Sequence, residues 1–560
     1  MIRLFQTHQI RRQTELDGMW AFTPVSEAGM PKKFEYTMPV PGCWEQHPSF
    51  ASYRGKGAYR RELAVEKRGN LRLEFKGVSH TADVYLDGRL IAHHYNAYTP
   101  FSAVVKDVAD GVHELTVVAD NSFSEKSALH LPNDYYTYGG LTRPVVLEEI
   151  GDAYIDHVEF VPACRQEKWS ARVRTVVRNV ADHAVPVRIV GGLEEKRLDF
   201  PAVRVEAGQT AEIEQTFDFD GVEPWSTENP KLYMLRMRLF PGDASQAADD
   251  LNERVGFRTV EVKGRELLVN SRPVCLKGFC RHEDFALVGC AIPLQLMVKD
   301  VDLMRQMGAN SVRTSHYPND ERFLDLCDER GIFVWEESHA RGLTREQMLN
   351  PNFVPQSLSC IDEMIANHIN HPSIIIWALL NECASDTCRD IYERLIQEIR
   401  SLDGSRPVSF ATCKFDSDTC LDLPDIVSYN LYYGWYNNEN IAEAYPKQLA
   451  YIDAHGGAGK PVIISEFGAD AIYGIRDPAR PRWSEEYQAD VLERCLTYYM
   501  SRPEIIGTYI WQYADCRITN EGSWYMTRPG TRNNKGVVDI YRRPKLAFET
   551  VKRHYSGQKD

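Results

Sequence analysis

Ile374-Ile-Ile-Trp-Ala-Leu-Leu-Asn-Glu382 decides how this chain folds. Seven apolar residues run from Ile374 to Leu380 and stop at a polar pair, the pattern of a strand buried on both faces. The same pattern recurs on either side, in Ser311-Val-Arg313, Gly331-Ile-Phe-Val-Trp335, Pro407-Val-Ser-Phe410, Ile426-Val-Ser-Tyr429, Pro461-Val-Ile-Ile-Ser465 and Gly507-Thr-Tyr-Ile-Trp511. With Val274-Cys-Leu-Lys-Gly278 as the first, eight short strands alternate with helical stretches. That rhythm predicts a (β/α)8 TIM barrel over residues 263–560, with catalytic groups just past the C-terminal ends of its strands. A doubly wound sheet is the alternative, but no Gly-x-Gly-x-x-Gly opens a helix. Gly456-Gly-Ala-Gly-Lys460 fails as a phosphate loop, because Pro461 stands where Ser or Thr is needed.

The chain before the barrel reads as all-β. Leu71-Arg-Leu-Glu-Phe75, Ala82-Asp-Val-Tyr-Leu-Asp-Gly88 and His113-Glu-Leu-Thr-Val-Val118 alternate between turn signals, which predicts a jelly-roll-like, sugar-binding-like β-sandwich over residues 1–150. Ala171-Arg-Val-Arg-Thr-Val-Val177 and Ala211-Glu-Ile-Glu-Gln-Thr-Phe217 belong to a second stretch, residues 151–262, of the length of one immunoglobulin-like sandwich. Three domains suit 560 residues, since one core stops growing well short of that length.

Lys and Arg number 65 against 79 Asp and Glu, a net charge of −14, which argues against nucleic acid and anionic membranes as partners. An anionic substrate would therefore need local cations. The start MIRLFQTHQIRRQTELDG has no apolar signal region, so a cytoplasmic location is expected. Thirteen cysteines without Cys-x-x-Cys spacing predict reduced thiols and no zinc site.

Glu382 follows the predicted fourth strand and Glu466 ends the seventh, so in a closed barrel they face each other across the mouth. Two facing carboxylates suit glycoside hydrolysis. In a retaining enzyme they stand roughly 5 to 5.5 Å apart, one attacking the anomeric carbon and the other protonating the leaving oxygen. Trp511 ends the eighth strand as a sugar platform or as a core aromatic, and Glu336-Glu337 end the third. His282-Glu-Asp284 reads as polar lining of the sugar site rather than a metal pair. With no Gly-x-Ser-x-Gly and no His-Glu-x-x-His, neither metal nor cofactor is expected.

Lys277-Gly-Phe-Cys-Arg-His-Glu-Asp284, Asn310-Ser-Val-Arg-Thr-Ser-His-Tyr-Pro318, Asn370-His-Pro-Ser373 through Asn381-Glu382, and Ile464-Ser-Glu-Phe-Gly468 resemble glycoside hydrolase family 2, and within it the β-glucuronidases. The resemblance implies Glu382 as acid/base, Glu466 as nucleophile and Asn381 as donor to the sugar 2-hydroxyl. It makes Tyr432, in Asn430-Leu-Tyr-Tyr-Gly-Trp-Tyr436, a hydrogen-bond donor that keeps Glu466 ionised, with Asp284, His316, Tyr436 and Trp511 around the sugar. Asn533 and Lys535 resemble the Asn-x-Lys element that holds a C6 carboxylate. The implied activity is a retaining exo-β-uronidase releasing glucuronic acid from β-uronide conjugates or oligosaccharides, in a homo-oligomer, dimer or tetramer. A neutral-sugar β-galactosidase and a non-catalytic carbohydrate-binding protein are the remoter alternatives.

Two stretches depart from the family pattern. The loop Gly342-Leu-Thr-Arg-Glu-Gln-Met-Leu-Asn-Pro351 is short, which implies an open leaving-group site. Arg341 stands where the pattern has Val, within reach of a C6 carboxylate or an axial C4 hydroxyl, which points to activity on β-galacturonides in addition to or instead of β-glucuronides. Its alternative is a structural ion pair with Glu336 or Glu337.

Overall fold

The computed structural model describes residues 2–26 and 30–557, the side chains of 523 and 524 excepted. A four-stranded and a six-stranded sheet form the first body, a jelly-roll-like β-sandwich. Strand Arg12–Glu15 runs antiparallel to Val145–Ile150, so this body is closed on its own ends. Period-two alternation builds its core: in Thr81–Leu86, Ala82, Val84 and Leu86 turn inward. The second body is immunoglobulin-like, a three-stranded sheet against a five-stranded one. Its strand Tyr233–Pro241 buries Tyr233, Leu235, Met237 and Leu239 by the same alternation. A small antiparallel sheet, Val260–Lys263, Glu266–Val269 and Arg272–Pro273, spans the predicted junction at 262/263. Its Leu267 and Val269 pack with barrel residues Leu276 and Ile463.

Eight strands then close into a parallel barrel: β1 (Leu276–Cys280), β2 (Ser311–Arg313), β3 (Phe333–Glu337), β4 (Ile374–Asn381), β5 (Val408–Thr412), β6 (Ile426–Asn430), β7 (Val462–Phe467) and β8 (Ile505–Ile510). All eight residues of β4 are buried. Ile376 and Ala378 fill the barrel interior while Trp377 and Leu379 pack under the helices, which is why this strand is apolar without alternation. One βα unit is missing its helix. Residues 413–425 cross from β5 to β6 in turns, because Asp416-Ser-Asp-Thr419 and Asp422-Leu-Pro-Asp425 are dense in turn formers.

Between β7 and β8 lies α1 (Glu485–Tyr499), started by Ser484, whose hydroxyl accepts from Tyr487 N, with Glu485 and Glu486 in the first turn. From this helix Gln488 Nε2 donates to the carbonyls of Ala469, Lys535 and Gly536 at 3.0 to 3.2 Å, which fixes the loop of the Asn-x-Lys element.

The first sandwich also leans over the barrel mouth. Arg143 Nη2 donates to Glu283 and Tyr138 Oη to Asp284, both at 2.8 Å, and Arg528 binds Asp134. No helix among the described residues is long and apolar enough to cross a membrane. All thirteen cysteines are free thiols.

Candidate active site

Glu382 is the residue immediately after β4, and Glu466 lies near the C-terminal end of β7. Both line one cavity of about 430 Å³, with Arg341, Asn430, Tyr432, Tyr436 and Trp511 in its wall. Glu382 has φ +54°, a left-handed conformation that costs a non-glycine residue of order 1–3 kcal/mol and is kept where the surroundings demand it. Its N–H is spent on Ala411 O at 2.9 Å. Asn430 Nδ2 donates to Glu382 Oε1 at 2.9 Å, and the amide is oriented by Ser465 Oγ donating to Asn430 Oδ1 at 2.7 Å.

Arg313, the last residue of β2, is the hub beneath the two glutamates. Its Nη1 donates to Glu466 Oε1 at 2.9 Å, Nη2 to Asn381 Oδ1 at 2.7 Å, and Nε to Glu337 Oε2 at 2.8 Å. Sequence reading passed over this residue. The rule that flagged Glu382, a polar group ending a barrel strand, applies equally to Arg313.

Tyr432 Oη donates to Glu466 Oε2 at 2.7 Å, the bond that the resemblance implies. Burial nevertheless outweighs the help of Arg313 and Tyr432, and together with the charge of Glu382 it pushes the Glu466 carboxyl up to about 7. His316 stacks on Trp511 with centroids 5.1 Å apart, and its Nδ1 bonds Glu337 at 2.8 Å. Burial and the cations Arg313 and Arg341 drive the His316 pKa down, so the ring is neutral. Trp511 is a packed ring, 3% exposed, that still forms part of the cavity wall. Beside the glutamates, His316 Nε2 and Asn381 Nδ2 have no hydrogen-bond partner among the described residues. A buried polar atom without a partner has hydrogen-bonding capacity unused, and a hydroxyl-bearing ligand offers both donors and acceptors.

Asn533 and Lys535 come together with partners that were not foreseen. Asn533 Nδ2 donates to Asp134 Oδ2 at 2.9 Å, and Lys535 Nζ lies 2.6 Å from Asp470 Oδ2. Arg528 joins them, with Nη2 on Asp134 and on the Tyr436 hydroxyl at 2.6 and 2.8 Å, and Nη1 on Asp470 at 3.2 Å. The Lys535 ammonium faces the Tyr436 ring at 5.0 Å. This corner is therefore a neutral set of two cations and two carboxylates, not a lone amide and ammonium.

Two sequence expectations need correction. Asp284 does not line the sugar cavity: it accepts from Tyr138 Oη and from Arg517 N, and joins sandwich to barrel. His282, Glu283 and Asp284 bond to Tyr317, Arg143 and Tyr138 respectively, so the three diverge. Arg341 is ion-paired, but to Glu382 at 3.1 Å and not to Glu336 or Glu337. Glu336 pairs with His368 and Glu337 with Arg313 instead.

A closed barrel whose mouth holds two glutamates in one sugar-sized, hydrogen-bonding cavity defines a glycosidase-type enzyme. Comparison with known proteins gives the family. Residues 260–559 match "Glycosyl hydrolases family 2, TIM barrel domain", residues 153–258 "Glycosyl hydrolases family 2", and residues 52–148 "Glycosyl hydrolase 2 galactose-binding domain-like". The chain belongs to glycosyl hydrolase family 2 and is a glycosyl hydrolase. It is 28% identical to a β-glucuronidase of Paenibacillus borealis, covering 98% of each chain, and 28% identical to that of Felis catus, covering 97% of this chain and 91% of the other. Among solved structures it is similar to a β-galacturonidase from Eisenbergiella tayi bound to galacturonate, with 46% identity, TM-score 0.94 and full coverage of both chains. The β-D-glucuronidase of Dictyoglomus thermophilum follows at 26% identity and TM-score 0.84, covering 100% of this chain and 99% of the other.

Proposed function

We propose that this enzyme is a retaining exo-β-uronidase whose preferred substrates are β-D-galacturonides. The observation that carries the reading is a guanidinium, Arg341, set in the wall of a cavity that also holds both glutamates. The likeness to a β-galacturonidase over the full chain supports it. Glu466 attacks the anomeric carbon while Glu382 protonates the leaving oxygen, which forms a glycosyl-enzyme ester. Glu382 then takes a proton from water as that water attacks the same carbon, and Glu466 leaves as a carboxylate. Lys535 and Arg528 face the C6 carboxylate, and Asn381 and His316 the ring hydroxyls. β-D-Glucuronides are the second reading, favoured by Asn533-Asn-Lys535 and by the β-glucuronidase relatives.

Paired assays on p-nitrophenyl β-D-galacturonide and β-D-glucuronide test the preference. Faster galacturonide hydrolysis, by about tenfold or more, is expected, since a charge-assisted hydrogen bond from Arg341 to the axial C4 hydroxyl, which is equatorial in glucuronides, is worth about 1.5–3 kcal/mol. Equal or reversed rates would return the assignment to glucuronides. Proton NMR of the first-formed sugar should show the β-anomer, and α-anomer would exclude double displacement. Lys535→Met should lower uronide kcat/KM by about 10- to 100-fold on the same estimate.

The pH dependence follows from Glu466. It must be ionised to attack, and its pKa in the protein is about 7, so the reactive form is lost as pH falls through 7. For a 2,4-dinitrophenyl β-uronide, whose leaving group needs no proton from Glu382, kcat/KM should drop about tenfold per unit below that point. A plateau that persists to pH 5 would place the nucleophile's ionisation elsewhere.

A further inference from the structure

Arg341 is held at both ends of its guanidinium. Nη1 donates to Asn133 Oδ1 at 2.8 Å, on the first sandwich, and Nη2 to Glu382 Oε2 at 3.1 Å. The same side chain is the wall between two chambers: the one holding both glutamates, and one of about 460 Å³ bounded by Asn133, Asp134 and Gln347. Arginine only donates, and so does the Asn430 amide nitrogen on the other oxygen of Glu382. Glu382 therefore meets a donor at each oxygen. That arrangement suits a carboxylate that accepts and works against one that must donate.

Only one of the two donors is free to leave. Asn430 is 1% exposed, bonds Asn381 as well as Glu382, and has its amide fixed by Ser465. The Arg341 side chain is 24% exposed, and its Nε has no partner among the described residues. The destination is also on the page. In the corner of Lys535, Arg528, Asp134 and Asp470 the charges already cancel, so an arriving uronate is an unmatched negative charge. Arg341 Nη1 rests on the residue next to Asp134, and the Asp134 charge already acts on it. The other titratable groups facing Glu382 are Glu466, Tyr432 and Cys413. Burial raises the pKa of Tyr432 and lifts that of Cys413 to about 12, so both are neutral.

On the uronidase reading above, we propose that Arg341 is a substrate-released latch on the acid/base residue. It holds Glu382 as a carboxylate until the substrate's own carboxylate draws the guanidinium away. Glu382 then takes up a proton delivered by bulk solvent as hydronium, which leaves as water, and passes it to the glycosidic oxygen as that C–O bond breaks and Glu466 bonds the anomeric carbon. The aglycone leaves as the alcohol, and the proton that Glu382 takes from the attacking water in the second step returns to solvent when the latch closes. A sugar without a C6 carboxylate leaves the latch closed, so it is rejected at the chemical step as well as in binding.

Leaving-group dependence reads the latch directly, because 2,4-dinitrophenolate departs without a proton and phenolate needs one. The quantity is the ratio of kcat/KM for dinitrophenyl over phenyl substrate, measured for the β-uronide and for the neutral β-glycoside of the same configuration. In the wild type the neutral ratio should exceed the uronide ratio by about tenfold or more, within the usual range of general acid catalysis. Arg341→Met should abolish the difference by speeding up the neutral phenyl glycoside. Asn133→Ala, which removes the other hold on the guanidinium, should move the ratio the same way by less, and serves if the Met variant misfolds. Equal ratios in the wild type, or a difference that survives both variants, would overturn the latch. So would failure of excess wild-type enzyme to release dinitrophenol from the neutral sugar, where protonation is dispensable. If neutral glycosides are cleaved and neither uronide is, the uronidase reading itself is wrong, and the latch goes with it.

Discussion

Glu466→Gln abolishes turnover, by about 10⁴-fold or more, and makes the folded enzyme more stable at alkaline pH. The first effect follows from removing a nucleophile in a two-step displacement, where the remaining groups act only as part of the unit. The second follows from the direction of the Glu466 shift. Its carboxyl ionises near 7 in the folded chain against 4.5 as a free side chain, so folding holds its proton more tightly. Below about pH 4.5 the group is protonated in both states and costs nothing. Between 4.5 and 7 ionisation increasingly favours the unfolded chain, and above 7 the penalty is complete. At about 1.4 kcal/mol per pH unit the limit is roughly 3 kcal/mol, of which Gln recovers about 1–3. Thermal unfolding at pH 8 and pH 5 checks it: the variant should melt a few degrees above wild type at pH 8 and level with it at pH 5. A variant less stable at pH 8 would mean that Arg313 and Tyr432 outweigh burial.

Arg313→Gln has the second largest effect, and it reaches both activity and folding. Arg313 is fully buried and binds Glu466, Glu337 and Asn381 at once. Without it two carboxylates remain in the barrel with no guanidinium in contact and only the more distant Arg341 to offset them, and breaking a buried pair from one side costs about 3–5 kcal/mol. Glu466 then keeps its proton to higher pH, so kcat/KM at pH 7 should fall by about 10²-fold or more and the acid limb should move to more alkaline pH. Arg313→Lys restores the charge but not the planar fork that reaches three acceptors, and should recover only part of the loss. Wild-type kcat/KM at pH 7 in the Gln variant would remove Arg313 from the machinery.

The barrel was legible because both faces of its strands are covered. β4 is apolar up to its last residue and β7 opens on Val462-Ile-Ile464, so the polar pair Asn381-Glu382 at the end of β4 and the carboxylate Glu466 near the end of β7 stand out. The two sandwiches were legible for the opposite reason, a strict alternation of inward and outward side chains, as in Tyr233–Pro241. Tyr432 on Glu466 followed from resemblance and the geometry places it there. The rest of the site is made by contacts between distant segments. Asn133 and Arg341 are 208 positions apart, and Asp134 and Arg528 are 394 apart. No local pattern announces such pairs. Asp284 was misplaced because it stands two residues from His282, whose ring lies against Trp511 of the cavity wall, while its own carboxylate is claimed by Tyr138. Residues 413–425 break the strand–helix alternation read from the sequence, and Cys413 and Phe415 from this crossing stand in the cavity wall.

The loop carrying Asn133 and Asp134 belongs to the first sandwich, yet it touches Arg341, Arg528 and Asn533. On the uronidase reading proposed above, the amino-terminal module is then a co-author of selectivity rather than an appendage to a self-sufficient barrel. Selection on that module can retune which acidic sugar is accepted while the two glutamates and their strands stay untouched. Shuffling amino-terminal modules among relatives would therefore transplant substrate choice, and a barrel expressed alone would keep its carboxylates and lose the means of telling one sugar from another.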